Sequence, residues 1–202
     1  MNSADWDQRY AESDRLWSVT PNLFVADRLR HATPGRGLDL AAGEGRNAIW
    51  LSSLDWKMTA VDFSEVAVAR GSAEAETVEF VVGDALVWEP DTTFDLVLIA
   101  YLQLLQADFA DIVGRARGWL APGGELFMIG HDVSNITDGW GGPQYPEILW
   151  DVNDIVDWLH GMTIVESEVV RRPVETEQGR EFARDTLVRA RTPLPEAGGS
   201  TL

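Results

Sequence analysis

The stretch LDLAAGEGRNA, residues 38–48, decides the fold. Its first residues form a short apolar run that predicts a buried strand, and the strand ends at a turn containing Gly43 and Gly45. From Ala48 onward the apolar residues follow helical spacing. Only a residue without a Cβ lets the backbone pass close beneath a ligand and begin a helix there. The stretch therefore predicts a strand, a glycine turn and a helix that together cradle a ligand.

Outward from this turn, strand-like and helix-like segments alternate along the chain. Further strands are predicted at residues 58–61, 78–82, 94–100 and 125–129. After a helical pattern at 152–159, two strand-like runs at 162–170 and 182–190 follow one another without a helix-length insert. We therefore predict an α/β fold, a three-layer sandwich whose mostly parallel seven-stranded sheet ends in a C-terminal antiparallel hairpin.

The chain of 202 residues is long enough for one compact domain with short extensions. We predict a single domain over residues 1–192, in which 1–34 form an N-terminal helical lid segment with a helix at 23–29. Residues 193–202 are rich in Pro, Gly and Ser, a composition that predicts a flexible tail.

The glycine turn has three possible interpretations. Gly43, Gly45 and Ala48 satisfy the G-x-G-x-x-A pattern of dinucleotide sites. Asp62 lies 19 residues beyond Gly43, at the end of the second predicted strand, where its carboxylate can accept both hydroxyls of a ribose. The ligand is then either a nicotinamide or flavin dinucleotide or S-adenosylmethionine. A plain glycine turn is the third interpretation.

Three features favour S-adenosylmethionine. Asp39, four residues before Gly43, discourages a pyrophosphate and can serve the ammonium of a methionine moiety. The only lysine is Lys57 and Ser53 stands four residues before it, so the Tyr-x-x-x-Lys pair of short-chain reductases is absent. The remaining length does not supply the substrate domain of a two-domain dehydrogenase.

The order of motifs resembles that of class I S-adenosylmethionine-dependent methyltransferases over nearly the whole chain. The matching pieces are LDLAAGEGRN (38–47), AVDFS (60–64), VVGDA (81–85), FDLVLIAYLQL (94–104) and LAPGGELFMIG (120–130). The segment WDQRYAESDRLWSVTPN (6–22) also resembles the N-termini of tellurite-resistance-type and thiopurine-type small-molecule methyltransferases. The resemblance implies a Rossmann-like methyltransferase fold with S-adenosylmethionine as the cofactor.

The resemblance also implies roles for individual residues. Gly43 and Gly45 would underlie the methionine part of the cofactor. Asp39 would help to hold the ammonium, and Asp62 would bind the ribose diol.

At the adenine end, Phe63 would lie against the ring, or instead pack in the core. Asp84 would accept a hydrogen bond from the adenine amino group while the backbone of Ala85 pairs with the ring; a turn-forming Asp84 is the alternative. Ala100 and Tyr101 would present backbone oxygen near the sulfonium. Four more residues complete the predicted cofactor site: Ala41, Arg46, Ser64 and Gly83.

Composition limits the possible partners. Sixteen basic and 33 acidic side chains give a formal net charge of −17, which repels nucleic acid and anionic membranes, so we predict neither as a partner. The chain has no cysteine and only three widely spaced histidines, so no metal site is predicted. The acidic N-terminus lacks the apolar core of a signal peptide. We expect a cytoplasmic monomer or homodimer.

The methyl acceptor is expected to meet residues that follow the predicted strands. His131, after the fifth strand, is the best candidate for a general base because imidazole titrates near neutrality; a hydrogen-bonded structural histidine is the alternative. The glycine-rich, aromatic segment 135–145 is either a lid or a plain surface connection. After the fourth strand the sequence lacks the Asn/Asp-Pro-Pro-aromatic tetrapeptide of methyltransferases that act on amino groups of DNA or glutamine.

Aromatic residues in the lid segments suggest a flat acceptor. The candidate acceptor-binding residues are Trp6, Tyr10, Trp17, Asp132, Trp140 and Tyr145. Trp150 is also assigned to a lid segment. We predict methyl transfer from S-adenosylmethionine to a small, apolar or heteroaromatic molecule at an O, N, S or chalcogen atom. The alternatives are an NAD(P)-dependent reductase and a non-catalytic S-adenosylmethionine-binding domain.

Overall fold

A computed structural model describes residues 2–13 and 18–195. Its strands are β1 (Arg36–Leu40), β2 (Lys57–Asp62), β3 (Glu79–Val82), β4 (Phe94–Ala100), β5 (Leu120–His131), β6 (Thr163–Thr176) and β7 (Gly179–Arg191). Its helices are α1 (Ser3–Ala11), α2 (Leu23–Leu29), α3 (Arg46–Ser52), α4 (Glu65–Glu74), α5 (Gln106–Gly118), α6 (Asn135–Asp138) and α7 (Val152–Trp158). A 3₁₀ turn spans Pro146–Ile148.

The strands form a seven-stranded sheet in the order β3-β2-β1-β4-β5-β7-β6. β1 is parallel to β2 and β4, and β2 is parallel to β3. β7 is antiparallel to both β5 and β6. These pairings confirm the predicted mostly parallel sheet with a C-terminal antiparallel hairpin. No helix in the described ranges has the length and apolarity needed to cross a membrane.

The chain divides into two compact units, and the predicted domain boundaries stay predictions. The N-terminal unit consists of Met1–Thr92 and Leu96–Leu102, and the C-terminal unit consists of Thr93–Asp95 and Gln103–Leu202.

In the N-terminal unit, local sequence signals determine where the helices begin. Asn22 caps α2 because its side-chain oxygen accepts hydrogen bonds from the amides of Phe24 and Val25. Ser64 caps α4, and its side-chain oxygen accepts a hydrogen bond from the amide of Ala67. The strands between them are apolar and buried; four of the five residues of β1 are inaccessible to solvent. Burial of these strands fixes β1 and β2 side by side beneath the glycine turn.

In the C-terminal unit, α5 buries the apolar face that its sequence spacing predicts. Phe109, Ile112, Val113 and Ala116 are all buried. The strands are longer than predicted. Pro122–Gly124 belongs to β5 and does not form a separate turn before it, because the carbonyl of Gly124 accepts a hydrogen bond from the amide of Thr192.

The hairpin of β6 and β7 also extends past its apolar pattern. Backbone pairing continues to Thr176 opposite Gly179, beyond the last apolar residues used to place the strands. Side chains alternate in exposure along much of β6. Backbone hydrogen bonds, and not burial of side chains, therefore stabilise the pairing of β6 and β7 near the end of the hairpin.

Assigning Trp150 to a lid was wrong. Its ring is buried and stacks on Phe109 with the ring centroids 4.4 Å apart. Gly130 of β5 lies directly against the indole, since a Cβ there would come within 2.8 Å of ring atoms. Trp150 is therefore a core residue of the C-terminal unit.

Candidate active site

The glycine turn after β1 has the left-handed backbone that its sequence implies. Ala41, Gly43 and Gly45 have φ values of 58°, 58° and 78°. A Cβ on Gly45 would lie 2.6 Å from ring atoms of Phe80 on β3. Both the conformation and the close packing therefore require glycine at position 45. Gly45 then begins α3, since its carbonyl accepts a hydrogen bond from the amide of Ile49.

Asp62 binds the turn directly. Its Oδ2 accepts a 2.7 Å hydrogen bond from the amide of Gly43, and its Oδ1 accepts a 2.9 Å hydrogen bond from the amide of Ser64. Burial raises the pKa of this carboxyl above its ordinary value, and these backbone hydrogen bonds oppose the shift. Each carboxylate oxygen can accept a further hydrogen bond. The side chain therefore retains acceptor capacity for the two hydroxyls of a diol.

Asp39 is a second buried carboxyl near the turn. Its Oδ2 accepts a 3.2 Å hydrogen bond from the amide of Ala48 in α3. Its Oδ1 is buried and makes no hydrogen bond to any described residue. Burial raises the pKa of this carboxyl to about 7. An unsatisfied buried carboxylate oxygen fits a cationic partner such as an ammonium.

Asp7 on α1 was not predicted as a site residue. Asp7 Oδ1 accepts a 2.6 Å hydrogen bond from the Ser64 hydroxyl and a 3.3 Å hydrogen bond from the amide of Val66. An acidic group is favourable at the N-terminus of a helix, and this contact attaches α1 to the start of α4. The negative charge of Asp7 also contributes to the raised pKa of Asp62. Ser64, a predicted cofactor residue, thus has a capping and docking role.

The turn after β3 holds Asp84 and Ala85, two of the residues predicted for adenine, and the third, Phe63, directly follows β2. The amide of Gly83 donates to the carbonyl of Asp62, which joins this turn to the end of β2. Asp84 Oδ1 accepts a 2.9 Å hydrogen bond from the amide of Leu86, the turn-forming role that the sequence left open. The side chain of Asp84 is exposed, whereas Ala85 and Phe63 are half-buried.

A buried asparagine pair connects other parts of the N-terminal unit. The amide of Asn22 donates a 2.8 Å hydrogen bond to Asn47 Oδ1, and its side-chain nitrogen donates a 3.2 Å hydrogen bond to the Tyr101 hydroxyl. Tyr101 follows Ala100 at the end of β4 and has a φ of 58°. Sequence reasoning missed both asparagines as site residues. The helix-start pattern at Asn22 was the available signal.

The other predicted residues of this unit lie at its N-terminal segments. Arg46 donates a 3.0 Å hydrogen bond from Nη1 to the Ser18 hydroxyl. On α1, Tyr10 is buried and Trp6 is half-buried, with their ring centroids 5.9 Å apart. Trp17 lies outside the described residues. Tyr10 is therefore a packing residue of α1 in this structure.

In the C-terminal unit, His131 lies at the end of β5 beside a buried acid. Its Nδ1 is 3.3 Å from Oδ1 of Asp185 on β7. The side chain of His131 is 14% exposed and that of Asp185 is fully buried. A Cβ on Gly142, in the predicted lid, would lie 3.2 Å from two atoms of the imidazole ring. The histidine is thus held on two sides.

Both carboxylate oxygens of Asp132, the next residue, accept hydrogen bonds within the C-terminal unit. Its Oδ1 accepts hydrogen bonds from the amide and hydroxyl of Ser134, and its Oδ2 accepts a 2.6 Å hydrogen bond from the Thr186 hydroxyl. The side chain is buried. These contacts give Asp132 a structural role at the β5–β7 junction.

The predicted lid segment 135–145 is anchored at its start and exposed later. Asn135 begins the short helix α6, donates a 2.8 Å hydrogen bond to the carbonyl of Gly141, and accepts one of 2.7 Å from the amide of Arg184. Trp140 and Tyr145 are 42% and 64% exposed. The segment therefore presents two large aromatic rings to solvent from a fixed base.

Comparison with known proteins bears directly on this arrangement. Residues 38–124 match the family model described as a methyltransferase domain. The chain is 23% identical to the probable thiol methyltransferase 2 of Arabidopsis thaliana, an alignment that covers 85% of this chain and 80% of the relative. The crystal structure of N-methyltransferase NodS from Bradyrhizobium japonicum, in complex with S-adenosyl-L-homocysteine, has a TM-score of 0.73 and 18% identity; the match covers 96% of this chain and 100% of that one.

Residues 38–124 therefore form a methyltransferase domain, and the relatives together with the structural neighbour support an S-adenosylmethionine-dependent methyltransferase with the class I fold. Two further relatives match shorter stretches. Trans-aconitate 2-methyltransferase of Methylobacterium radiotolerans is 28% identical over 61% of this chain and 48% of its own length. Ribosomal RNA large subunit methyltransferase G of Streptomyces coelicolor is 35% identical over 54% of this chain and 36% of its own. The chain thus aligns with about half or less of these two relatives.

This methyltransferase uses S-adenosylmethionine as its cofactor, which confirms the cofactor that the glycine turn favoured. The same matches favour S-adenosylmethionine over the alternative of an NAD(P)-dependent reductase. The buried carboxylates of Asp39 and Asp62 beside the turn fit a cofactor that carries an ammonium and a ribose and lacks a pyrophosphate. Among the described residues, no group of three or more potential metal ligands is assembled.

Proposed function

We propose that this methyltransferase acts on a small, flat, apolar or heteroaromatic molecule, at an oxygen, nitrogen, sulfur or chalcogen atom. The observation that carries the proposal is the composition of the segment beside His131. Gly142 lies against the imidazole, and the same segment presents Trp140 and Tyr145 to solvent. Indole and phenol rings offer apolar walls with a polar edge, which suits an aromatic acceptor.

The cofactor is assigned to the N-terminal unit by the chemistry of its side chains. Asp62 would accept the ribose hydroxyls, and Asp39 would face the ammonium, directly or through water. Gly43 and Gly45 would leave room for the methionine part, and Asp84 would accept from the adenine amino group. When bound, S-adenosylmethionine supplies a methyl group on a positively charged sulfur.

His131 is the proposed general base. Deprotonation by a side chain is needed only when the acceptor atom carries a tightly held proton, as a phenol does. An imidazole that is mostly enclosed and held on two sides can accept that proton in a fixed position. Thiolates and other acceptors that are already ionised would need only positioning and exclusion of water.

The charge of the chain supports a small acceptor. A net charge of −17 opposes binding of RNA or DNA, whose phosphates are attracted by Lys and Arg. The names of two relatives specify a thiol and trans-aconitate as substrates, and these are small molecules. The relative that acts on ribosomal RNA aligns over 36% of its own length. The cytoplasmic location and the oligomeric state stay predictions.

A panel of acceptors tests the proposal. The purified protein is incubated with S-adenosylmethionine and, separately, with a phenol, an aryl thiol, a heteroaromatic amine, trans-aconitate and ribosomal RNA. Release of S-adenosylhomocysteine and the mass of the product report transfer. We expect turnover with one or more of the aromatic acceptors. Turnover with only trans-aconitate or only RNA would contradict the acceptor class.

A further inference from the structure

Three strands of the C-terminal unit bring a histidine, an aspartate and an arginine together. The register of β5 and β7 places His131 opposite Asp185. The register of β6 and β7 places Arg172 opposite Ala183, two residues from Asp185 on the same face of the hairpin. Arg172 Nε donates a 2.7 Å hydrogen bond to Asp185 Oδ2, and His131 Nδ1 lies 3.3 Å from Asp185 Oδ1. Oδ2 is therefore hydrogen-bonded, whereas Oδ1 and His131 Nδ1 lie within ion-pair distance of each other but form no hydrogen bond with one another.

Burial gives the carboxyl of Asp185 a strong need for polar partners. The side chain of Asp185 is 0% exposed, and a buried carboxylate loses most of its hydration. The guanidinium of Arg172 places a positive charge beside Oδ2 of this buried carboxyl. The other oxygen then faces an imidazole nitrogen. An ionised acceptor at this position favours a proton on Nδ1 and leaves Nε2 as the basic nitrogen of a neutral histidine.

We propose that Asp185 is a positioning residue for His131, and that Arg172 holds Asp185 in place for this role. The proposal rests on the proposed function of His131 as general base. During transfer, the proton of the acceptor atom moves to Nε2 of His131. A lone pair of the acceptor atom then forms the bond to the methyl carbon. The electron pair of the broken carbon–sulfur bond stays on sulfur. Asp185 compensates the positive charge that forms on the imidazole.

A second ion-pair cluster provides a matched control. Near the opposite end of β5, Glu125 accepts hydrogen bonds of 2.7 Å from Arg189 and 2.9 Å from Arg191 on β7. The side chain of Glu125 is 9% exposed, so this is also a nearly buried acid bound by arginine, although its arginines lie on β7 and Arg172 lies on β6. A role limited to joining the strands predicts similar effects at Glu125 and Asp185. A positioning role predicts different ones.

The first test measures which nitrogen of the His131 imidazole carries the proton, with no methyl acceptor present. The chain has three histidines, so the nitrogen-15 signals of His131 can be assigned by their loss in His131→Gln. At a pH high enough that the nitrogen-15 shifts of His131 no longer change with pH, we expect the wild-type His131 proton on Nδ1. Asp185→Asn should shift the proton population toward Nε2, and Glu125→Gln should not. A wild-type proton on Nε2 overturns the proposal even if Asp185→Asn fails to fold, and so does an unchanged tautomer in a folded Asp185→Asn.

The second test measures turnover of a phenol and an acidic aryl thiol that is ionised at the assay pH. Asp185→Asn should lower kcat for the phenol by about 10- to 100-fold, with KM and cofactor affinity within about twofold of wild type. The thiol should be nearly unaffected, and Glu125→Gln should change neither rate. Equal losses for both acceptors, or in both variants, would contradict positioning. If the wild type methylates neither acceptor, phenols and aryl thiols are not its substrates, and the tautomer still decides the role of Asp185.

Discussion

The amide of Gly43 donates a 2.7 Å hydrogen bond to the carboxylate of Asp62, which lies 19 residues further along the chain. This bond joins the glycine turn after β1 to the end of β2. The same carboxylate accepts from the amide of Ser64, where α4 begins. One buried side chain thus orders two backbone turns at the site assigned to the cofactor, and changes at Asp62 or at the turn should affect stability and binding together.

Gly45→Ala tests the packing of the turn. A left-handed alanine costs about 1–2 kcal/mol, and its Cβ would overlap the Phe80 ring, so we expect the free energy of unfolding to fall by about 2 kcal/mol or more. Gly114→Ala is the control, because that helical glycine has open space around it and should gain about 0.5–1 kcal/mol. Denaturant unfolding measures both. If Gly45→Ala is as stable as Gly114→Ala, the turn does not require glycine at position 45.

Asp39→Asn tests the buried acid under α3. The pKa of Asp39 rises from 3.8 to about 7 on folding, so the native state binds this proton more tightly than the unfolded chain does. The stabilisation that results is complete below pH 3.8 and is lost as the pH rises through about 7. Between pH 4 and pH 8, the wild type should lose up to about 4 kcal/mol more stability than Asp39→Asn. Parallel stability curves for the two proteins would refute the shift.

Asp7→Ala tests the attachment of α1 to α4. Removal of the carboxylate takes an acceptor from the buried Ser64 hydroxyl, so we expect a loss of about 1–2 kcal/mol and faster hydrogen exchange throughout α1. Asp5→Ala is the control on the same helix; Asp5 accepts from the amide of Asn2 in an exposed capping box. The control should loosen only the start of α1. If Asp7→Ala and Asp5→Ala show the same pattern of amide hydrogen exchange in α1, the attachment of α1 to α4 through Asp7 is refuted.

The sequence predicted the cradle because its signals are local. Gly43, Gly45 and the cap at Ser64 each lie within a few residues of the backbone groups that they serve, and Asp62 lies at a recognisable strand end. The apolar runs of β1 and β4 are short and mostly buried. Turn chemistry and burial act over such distances, so the pattern was sufficient.

The contacts that were missed join residues far apart in the sequence. Asp7 and Ser64 are separated by 57 positions, Asn22 and Tyr101 by 79. The stacking of Trp150 on Phe109 depends on tertiary packing, so an aromatic residue in a loop-like segment was mistaken for part of a lid. Partners at this range are fixed by strand order and register, which spacing along one segment does not contain.

Calorimetric titration with S-adenosylhomocysteine tests the central claim, that Asp62 and the glycine turn form the cofactor site. Asp62→Asn keeps the side-chain size but replaces one acceptor oxygen by a donor amide, which faces the Gly43 or Ser64 amide. With Asp91→Asn, an exposed acid of the same unit, as control, we predict binding by wild type and control and a loss of affinity of at least about tenfold for folded Asp62→Asn. Wild-type affinity in Asp62→Asn, or no binding to the wild-type chain, would contradict the account.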